Sequence, residues 1–173
     1  GEYKEYFDFH GGKPAHYLAK RKRKKVAEIT YKDGKRHGAW REWDKKKKLV
    51  LECFYKEGKK HGQARWWGKA DGKRVLLFDA MYKEGQLDGH YRLTIPEHEM
   101  TCQYFFKDGT LHGKFKFSAG DVLGNGEYIH GRPHGVWRTS DKGKLLIKRE
   151  FQNGQPIGNW EKWFHIAVTG DST

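Results

Sequence analysis

The feature that most constrains this chain is a repeat of one aromatic residue and two glycines at fixed spacing. In each unit the aromatic residue stands three places before the first glycine, and the second glycine follows four places later. The six units are Tyr31/Gly34/Gly38, Tyr55/Gly58/Gly62, Tyr82/Gly85/Gly89, Phe106/Gly109/Gly113, Tyr128/Gly131/Gly135 and Phe151/Gly154/Gly158. Their first glycines are 24, 27, 24, 22 and 23 residues apart. Such a period predicts stacked copies of one supersecondary unit.

The segments between the motif glycines are strand-like. Runs at 49–55, 74–82, 100–106 and 144–151 are rich in β-forming residues and too short for helices. Counting back by twos from Tyr55 places Cys53, Leu51 and Leu49 on one side of a strand. A second turn lies midway in most units, at 44–48, 69–73, 118–121 and 140–144. We therefore expect an all-β antiparallel meander of about a dozen strands, in which the two motif glycines frame one turn of each hairpin.

The motif resembles a known repeat family. Two places after the second glycine stands another aromatic residue in five units: Trp40, Tyr91, Phe115, Trp137 and Trp160. This pattern resembles the MORN repeat, and its charged residue before the first glycine resembles the MORN variants of bacterial proteins. The resemblance covers residues 25–165 and implies an elongated, twisted, single-layer sheet with one hairpin per repeat. It also implies an antitoxin-like or assembly role. Residues 1–24 are predicted to be a degenerate capping segment, and 166–173 a C-terminal tail.

Composition agrees with a thin structure. One third of the residues (33%) are charged, which is too polar for a thick core, yet 15% are aromatic and seven are Trp. Large rings are therefore expected to provide most of the buried surface. No apolar run approaches the ~18 residues that cross a membrane. We favour a cytoplasmic location. Because the chain begins at Gly1 rather than methionine, export after removal of a signal peptide is kept as the alternative.

Residue types that carry catalysis are sparse or badly spaced. His37, His61, His112 and His134 share one motif position, but equivalent positions in neighbouring hairpins are ~9–10 Å apart, too far to share a zinc ion. Cys53 and Cys102 fall on the inward phase of their strands and about four strands apart, too far for a disulfide. We predict no catalytic residue, no metal site, no cofactor and no enzymatic activity.

Two sets of residues are candidates for binding. The first is aromatic and predicts capture of another protein on the sheet face: Trp40, Trp43, Trp66, Trp67, Tyr91, Trp137, Trp160 and Trp163. The adjacent pair Trp66 and Trp67 is informative, because neighbouring strand residues face opposite ways and both cannot be core. The competing interpretation is that these rings only pack on one another. Recognition of glycans by exposed Trp rings is a weaker alternative.

The second set is basic. Residues 1–75 hold 23 Lys and Arg against 10 Asp and Glu, whereas residues 76–173 hold 12 of each. We expect the turn residues Lys35, Arg36, Lys59 and Lys60 to form one strip, because equivalent turns line up on one edge. With it we group two basic runs, and the candidates for anionic lipid headgroups or nucleic acid are together Lys20, Arg21, Lys22, Arg23, Lys24, Lys25, Lys35, Arg36, Lys45, Lys46, Lys47, Lys48, Lys59 and Lys60. The competing interpretation is that these charges are only solvated and protect exposed edge strands from aggregation. Exposed edge strands also allow pairing with a second copy of the chain.

Overall fold

The structure, a computed structural model, describes residues 2–7 and 26–163. Its strands are β1 (Glu2–Phe7), β2 (Ala27–Lys32), β3 (Lys35–Trp43), β4 (Leu49–Lys56), β5 (Lys59–Ala70), β6 (Lys73–Lys83), β7 (Gln86–Ile95), β8 (Met100–Lys107), β9 (Thr110–Leu111), β10 (Gly113–Ala119), β11 (Val122–Ile129), β12 (Arg132–Asp141), β13 (Lys144–Gln152) and β14 (Gln155–Lys162). A 3-10 turn at Pro96–His98 joins β7 to β8, and these ranges contain no α-helix.

The strands form one open antiparallel sheet in chain order. Each pairs with the next, except that the two-residue β9 pairs only with β8, which also pairs with β10. β1 and β14 are the outermost of the described strands. The predicted all-β meander of hairpins is confirmed. Of the predicted capping segment, β1 pairs along β2 from Glu2↔Lys32 to Phe7↔Ala27. Its remainder at 8–24 and the predicted tail at 166–173 lie outside the described residues.

The first motif glycine and the residue before it form each tight turn between repeat strands. Asp33 and Gly34 have φ values of 49° and 73° and connect the paired residues Lys32 and Lys35. Positive φ at both central residues defines a type I′ turn, whose twist matches that of the flanking strands. The same geometry recurs at the other five motif turns. All six turns join strands at the same end of the sheet, and we call the line that these turns form across the strands the motif edge.

The second motif glycine lies inside a strand and does not frame the turn, so that expectation is wrong. In β4 and β5, Cys53 pairs with Ala64 and Tyr55 with Lys60. Phe54 therefore faces the three residues 61–63, which form a three-residue bulge around Gly62 at φ 93°. A bulge requires local backbone conformations that glycine adopts without strain, and it increases the twist of the sheet. The repeated glycine thus indicates a repeated bulge.

Backbone hydrogen bonds hold each repeat to the next along the motif edge. The Gly58 N–H donates to the carbonyl of Arg36 in the preceding repeat, at 2.8 Å. Equivalent bonds of 2.8 or 2.9 Å join Gly85 to Lys60, Gly109 to Leu87, Gly131 to Leu111 and Gly154 to Pro133. The motif turns consequently lie in line along one edge.

The buried apolar side chains form a thin strip on one face of the sheet, and Glu28 is the one buried charged residue among those described. The aromatic face is the side that carries Tyr31, Tyr55, Tyr82, Phe106, Tyr128 and Phe151, and the other side is the polar face. On the aromatic face Ala80 is 0% exposed, and Cys53 and Ala64 are each 6% exposed. No large side chain in the described residues is fully buried. The aromatic rings therefore bury one another only in part and do not enclose a core.

The two cysteines give a direct test of this burial. Burial raises the pKa of the Cys53 thiol above its ordinary value, whereas Cys102 is only half-buried, and both are free. Because the thiolate is the reactive form, we expect a thiol reagent to label Cys102 first and Cys53 only slowly. Labelling kinetics of Cys102→Ser should lack the fast phase, and those of Cys53→Ser should keep it. The reverse assignment would show that Cys53 is not on the buried strip.

Candidate interaction surfaces

A single line of side chains crosses the aromatic face from strand to strand, and we call it the central row. In chain order it comprises Ile29, Trp40, Cys53, Ala64, Ala80, Tyr91, Tyr104, Phe115, Gly126, Trp137, Arg149 and Trp160. Small residues occupy its middle, and rings occupy both flanks. Three of the aromatic residues predicted to bind a partner, Trp40, Tyr91 and Trp137, therefore lie in one continuous line with Trp160.

The rings of the central row contact one another over most of its second half. Ring centroids are 6.0 Å apart for Tyr91 and Tyr104, 4.8 Å for Tyr104 and Phe115, and 5.4 Å for Phe115 and Trp137. Such distances are those of favourable aromatic pairs. Burial raises the pKa of Tyr91 and Tyr104 above the ordinary tyrosine value. The rings of the central row are therefore partly desolvated, although no layer of described residues covers them.

Two glycines in β11 allow rings to lie flat on the backbone. A Cβ atom at Gly126 would come within 2.3 Å of the Trp137 ring, and one at Gly124 within 2.0 Å of the Phe117 ring. Neither glycine has a positive φ, so the requirement at these positions is space. The rings reach the sheet surface only because these two positions have no side chain.

The adjacent residues Trp66 and Trp67 differ in their accessibility, and a register shift of β5 against β6 falls between them. Trp66 pairs with Leu51 on one side and Phe78 on the other, which places it on the aromatic face. It is 56% exposed. Trp67 is half-buried, and the Arg74 guanidinium lies 4.5 Å from its ring centroid. Trp66 is consequently the accessible member of the pair.

The remaining predicted aromatic residues differ in accessibility. Trp40 and Trp43 are half-buried, and the Trp40 indole N–H donates to Glu42 at 3.0 Å. Trp160 is 59% exposed, and Trp163 is also exposed. The Arg149 guanidinium lies 5.0 Å from the Trp160 ring and 5.3 Å from the Phe151 ring. The aromatic face thus offers reachable rings at Trp66 and near β14.

The predicted basic strip divides between two edges of the sheet. Lys35, Arg36, Lys59 and Lys60 lie along the motif edge, whereas residues 45–48 form the turn at the far end of β3. That strand is nine residues long, so about 26 Å separates the two ends. The four turn residues therefore share one edge, whereas Lys45 to Lys48 lie apart from them, and Lys20 to Lys25 lie outside the described residues.

Two of the motif-edge cations belong to the aromatic face. The Arg36 guanidinium lies 4.9 Å from the Trp40 ring centroid and 5.4 Å from that of Tyr55. The Lys60 ammonium lies 4.9 Å from the Tyr82 ring centroid. These distances are those of cation–π contacts. Arg36 and Lys60 consequently add positive charge to the aromatic face.

The residue before the second glycine contacts the next repeat. His61 Nδ1 lies 3.5 Å from the backbone nitrogen of Glu84 and 3.3 Å from its carboxylate. A neutral ring accepts from that N–H, and a protonated ring donates to the carboxylate. Asp88 accepts a hydrogen bond from the Asp108 N–H at 3.3 Å. These side chains bridge consecutive turns, whereas we expected each to complete its own turn.

The polar face carries a row of charges that we did not predict. Directly paired across the strands, in order, stand Glu28, Arg41, Glu52, Arg65, Asp79, Arg92, Gln103, Lys116, Asn125, Arg138, Lys148 and Glu161. We call it the charged ladder. From β2 to β7 its signs alternate strictly, and Arg41 bonds Glu52 at 2.8 Å. Opposite charges facing each other stabilise neighbouring strands.

A sequence signal for this ladder exists. Its residues on β2, β4, β6, β8, β11 and β13 stand three places before the motif aromatic, and those on the intervening strands stand three places after the second glycine. Aligning the repeats at these offsets shows the charges in sequence. Predicting that they face each other also requires the register, which depends on the bulge around the second glycine.

The described residues contain no candidate metal-binding group and no helix that could span a membrane. Within 26–163 no three His, Cys, Asp or Glu residues come together as a group that could hold a metal ion. Across the described ranges, no helix has the length and apolarity needed to cross a membrane. The distinctive surfaces are thus the aromatic face and the charged ladder.

Comparison with known proteins does not identify a relative. No protein-family model matches the chain, and no curated protein matches it either.

Proposed function

We propose that this chain is a non-enzymatic scaffold of MORN-type repeats that binds another protein through its aromatic face. The observation that carries the proposal is the central row, whose rings contact one another from Tyr91 to Trp137 on a sheet with no second layer among the described residues. Exposed aromatic surface of this extent is typical of interaction sites. An antitoxin-like or assembly role is compatible with such binding.

The chemistry of the face indicates what kind of partner it suits. Arg36, Lys60 and Arg149 place cationic groups over the rings of Tyr55, Tyr82 and Phe151. A partner segment that combines apolar side chains with carboxylates would contact rings and cations together. We therefore propose an apolar, acidic segment as the part of the partner that is bound.

Site-specific photo-crosslinking tests this proposal. A benzophenone amino acid at Trp66 or Trp160 reports on the aromatic face, and the same group at Gln103 or Asn125 reports on the polar face as a matched control. All four residues are exposed, so a partner can reach the group at each position. We expect the two aromatic-face positions to cross-link one and the same protein, and the control positions not to capture it.

Two results would contradict the proposal. One is capture of the same protein from the polar-face positions, and the other is the absence of any shared adduct from Trp66 and Trp160. The mass of the adduct and the cross-linked peptide identify the partner and show whether the contacted segment is acidic and apolar.

A further inference from the structure

The second half of the charged ladder differs from the first in charge balance. Arg92, Gln103, Lys116, Asn125 and Arg138 are paired in direct succession across β7, β8, β10, β11 and β12. We call these five residues the cationic row. An amide stands at the positions where the first half of the ladder has a carboxylate. The row therefore carries three positive charges and no negative one.

The cations of this row are exposed and unpaired. All five side chains are exposed, whereas Glu52 and Asp79 in the first half are only 16% and 19% exposed in their side chains. Within the described ranges, no carboxylate lies at ion-pair distance from Arg92, Lys116 or Arg138. Adjacent strands are ~4.8 Å apart, so cations two strands apart recur about every 10 Å.

The neighbouring carboxylates are engaged elsewhere. Asp79, which pairs with Arg92, accepts a hydrogen bond from Gln63 at 2.8 Å and lies 3.1 Å from His90 Nε2. At the other end Lys148 faces Arg138 but bonds Glu161 at 2.9 Å. The two ladder carboxylates at the ends of the row, Asp79 and Glu161, are thus bound to other groups. Glu127, two residues along β11 from Asn125, is exposed and lies at ion-pair distance from none of the three cations.

An exposed ring stands beside the row on the same face. Phe105 lies two residues along β8 from Gln103 and is 50% exposed. On the other flank Thr94 and Thr101 are cross-strand partners with their hydroxyl oxygens 3.5 Å apart. A line of cations with a stacking ring and hydroxyl groups on a sheet surface has the parts that a single-stranded nucleic acid requires.

We propose that the cationic row binds single-stranded nucleic acid on the polar face. The strand runs across the β-strands, with phosphates at the cations, amides between them and a base on the Phe105 ring. Phosphodiester charges are evenly spaced along a nucleic acid strand and stay ionised at neutral pH. Both properties suit a row of evenly spaced cations. This site is distinct from the aromatic face and does not depend on the function proposed for it.

Fluorescence anisotropy with a labelled oligothymidylate of about 20 nucleotides tests the proposal. The row variant is Arg92→Gln/Lys116→Gln/Arg138→Gln. The matched control, Lys69→Gln/Lys73→Gln/Lys144→Gln, removes the same charge from exposed residues beside the turns opposite the motif edge. Three phosphate contacts give a slope of about 2 when log Kd is plotted against the logarithm of the salt concentration. Kd should therefore rise about 20-fold between 50 and 200 mM NaCl. We expect that slope to be lost in the row variant and kept in the control.

The ring is tested separately. Phe105→Ala should weaken binding at least about fivefold without changing the salt slope, because stacking is not ionic. Phe105→Tyr keeps a stacking ring and should bind as the unchanged chain does. Circular dichroism of each variant confirms that the sheet has formed.

Three results would overturn the proposal. The first is equal binding by the row variant and the unchanged chain, which covers the case of no binding by either. The second is an equal loss in the matched control, which would show that net charge alone attracts the oligonucleotide. The third is displacement of the oligonucleotide by oligoglutamate of equal charge at the same concentration, which would show that any acidic polymer is accepted.

Discussion

Gly126→Ala is expected to destabilise the folded chain by about 1–3 kcal/mol, although it adds only one methyl group. The new carbon would come within 2.3 Å of the Trp137 ring, and two further ring atoms lie within 2.8 Å. The ring would have to leave the sheet surface, and it also contacts Phe115, Tyr128 and Phe151. Urea unfolding followed by circular dichroism measures the change as a lower midpoint at unchanged slope.

A double-mutant cycle isolates the cause. In a Trp137→Ala background the clash no longer exists, and alanine restricts the unfolded chain more than glycine does. Gly126→Ala should then be neutral or stabilise by up to about 1 kcal/mol. The destabilisation caused by Gly126→Ala is thus expected to disappear, or to become a stabilisation, when the ring is removed. Gly124→Ala with Phe117→Ala repeats the cycle at the neighbouring glycine, where the Cβ would lie 2.0 Å from the ring.

Equal destabilisation by Gly126→Ala with and without the Trp137 ring would contradict this account. It would mean that the backbone at Gly126 itself requires glycine and that the flat ring is incidental. A small effect in both backgrounds would mean that the central row is loosely packed at this point.

The hairpin architecture was predictable from sequence because its signals are local. A motif aromatic and its turn glycine lie three residues apart, and alternation along a strand places Cys53 on the same side as Tyr55 without knowledge of any partner strand. Because the same local pattern recurs six times, it predicts the whole fold although a single copy would be weak evidence.

The bulges and the charged ladder were not predictable in this way, because they depend on cross-strand register. Gly62 looks like a turn residue in sequence, since glycine with positive φ serves turns and bulges alike. Only the pairs Cys53↔Ala64 and Tyr55↔Lys60 show that it lies within a strand. An error of one residue there would place Arg65 on the wrong face and hide its position opposite Glu52.

The basic residues show a further limit of sequence analysis. Their clustering in the N-terminal half led us to group Lys45 to Lys48 with the turn residues, but residues close in sequence need not share an edge of the sheet. Lys45 to Lys48 and Lys59 are separated in sequence by one strand, and the antiparallel connection carries them to opposite edges. Conversely Arg92, Lys116 and Arg138 are distant in sequence and lie in one line because successive strands bring them together.

The affinity of the cross-linked partner for face-specific variants tests the central claim most directly. Trp66→Ala and Trp160→Ala each remove an exposed ring from the aromatic face, while Arg92→Gln/Lys116→Gln/Arg138→Gln alters only the polar face. Because aromatic residues at the centre of an interface contribute about 2 kcal/mol or more, we expect at least one Trp variant to weaken binding by about 30-fold. The polar-face variant should bind the protein as tightly as the unchanged chain. Unchanged affinity in both Trp variants, or an equal loss in the polar-face variant, would contradict the assignment of the aromatic face as the binding surface.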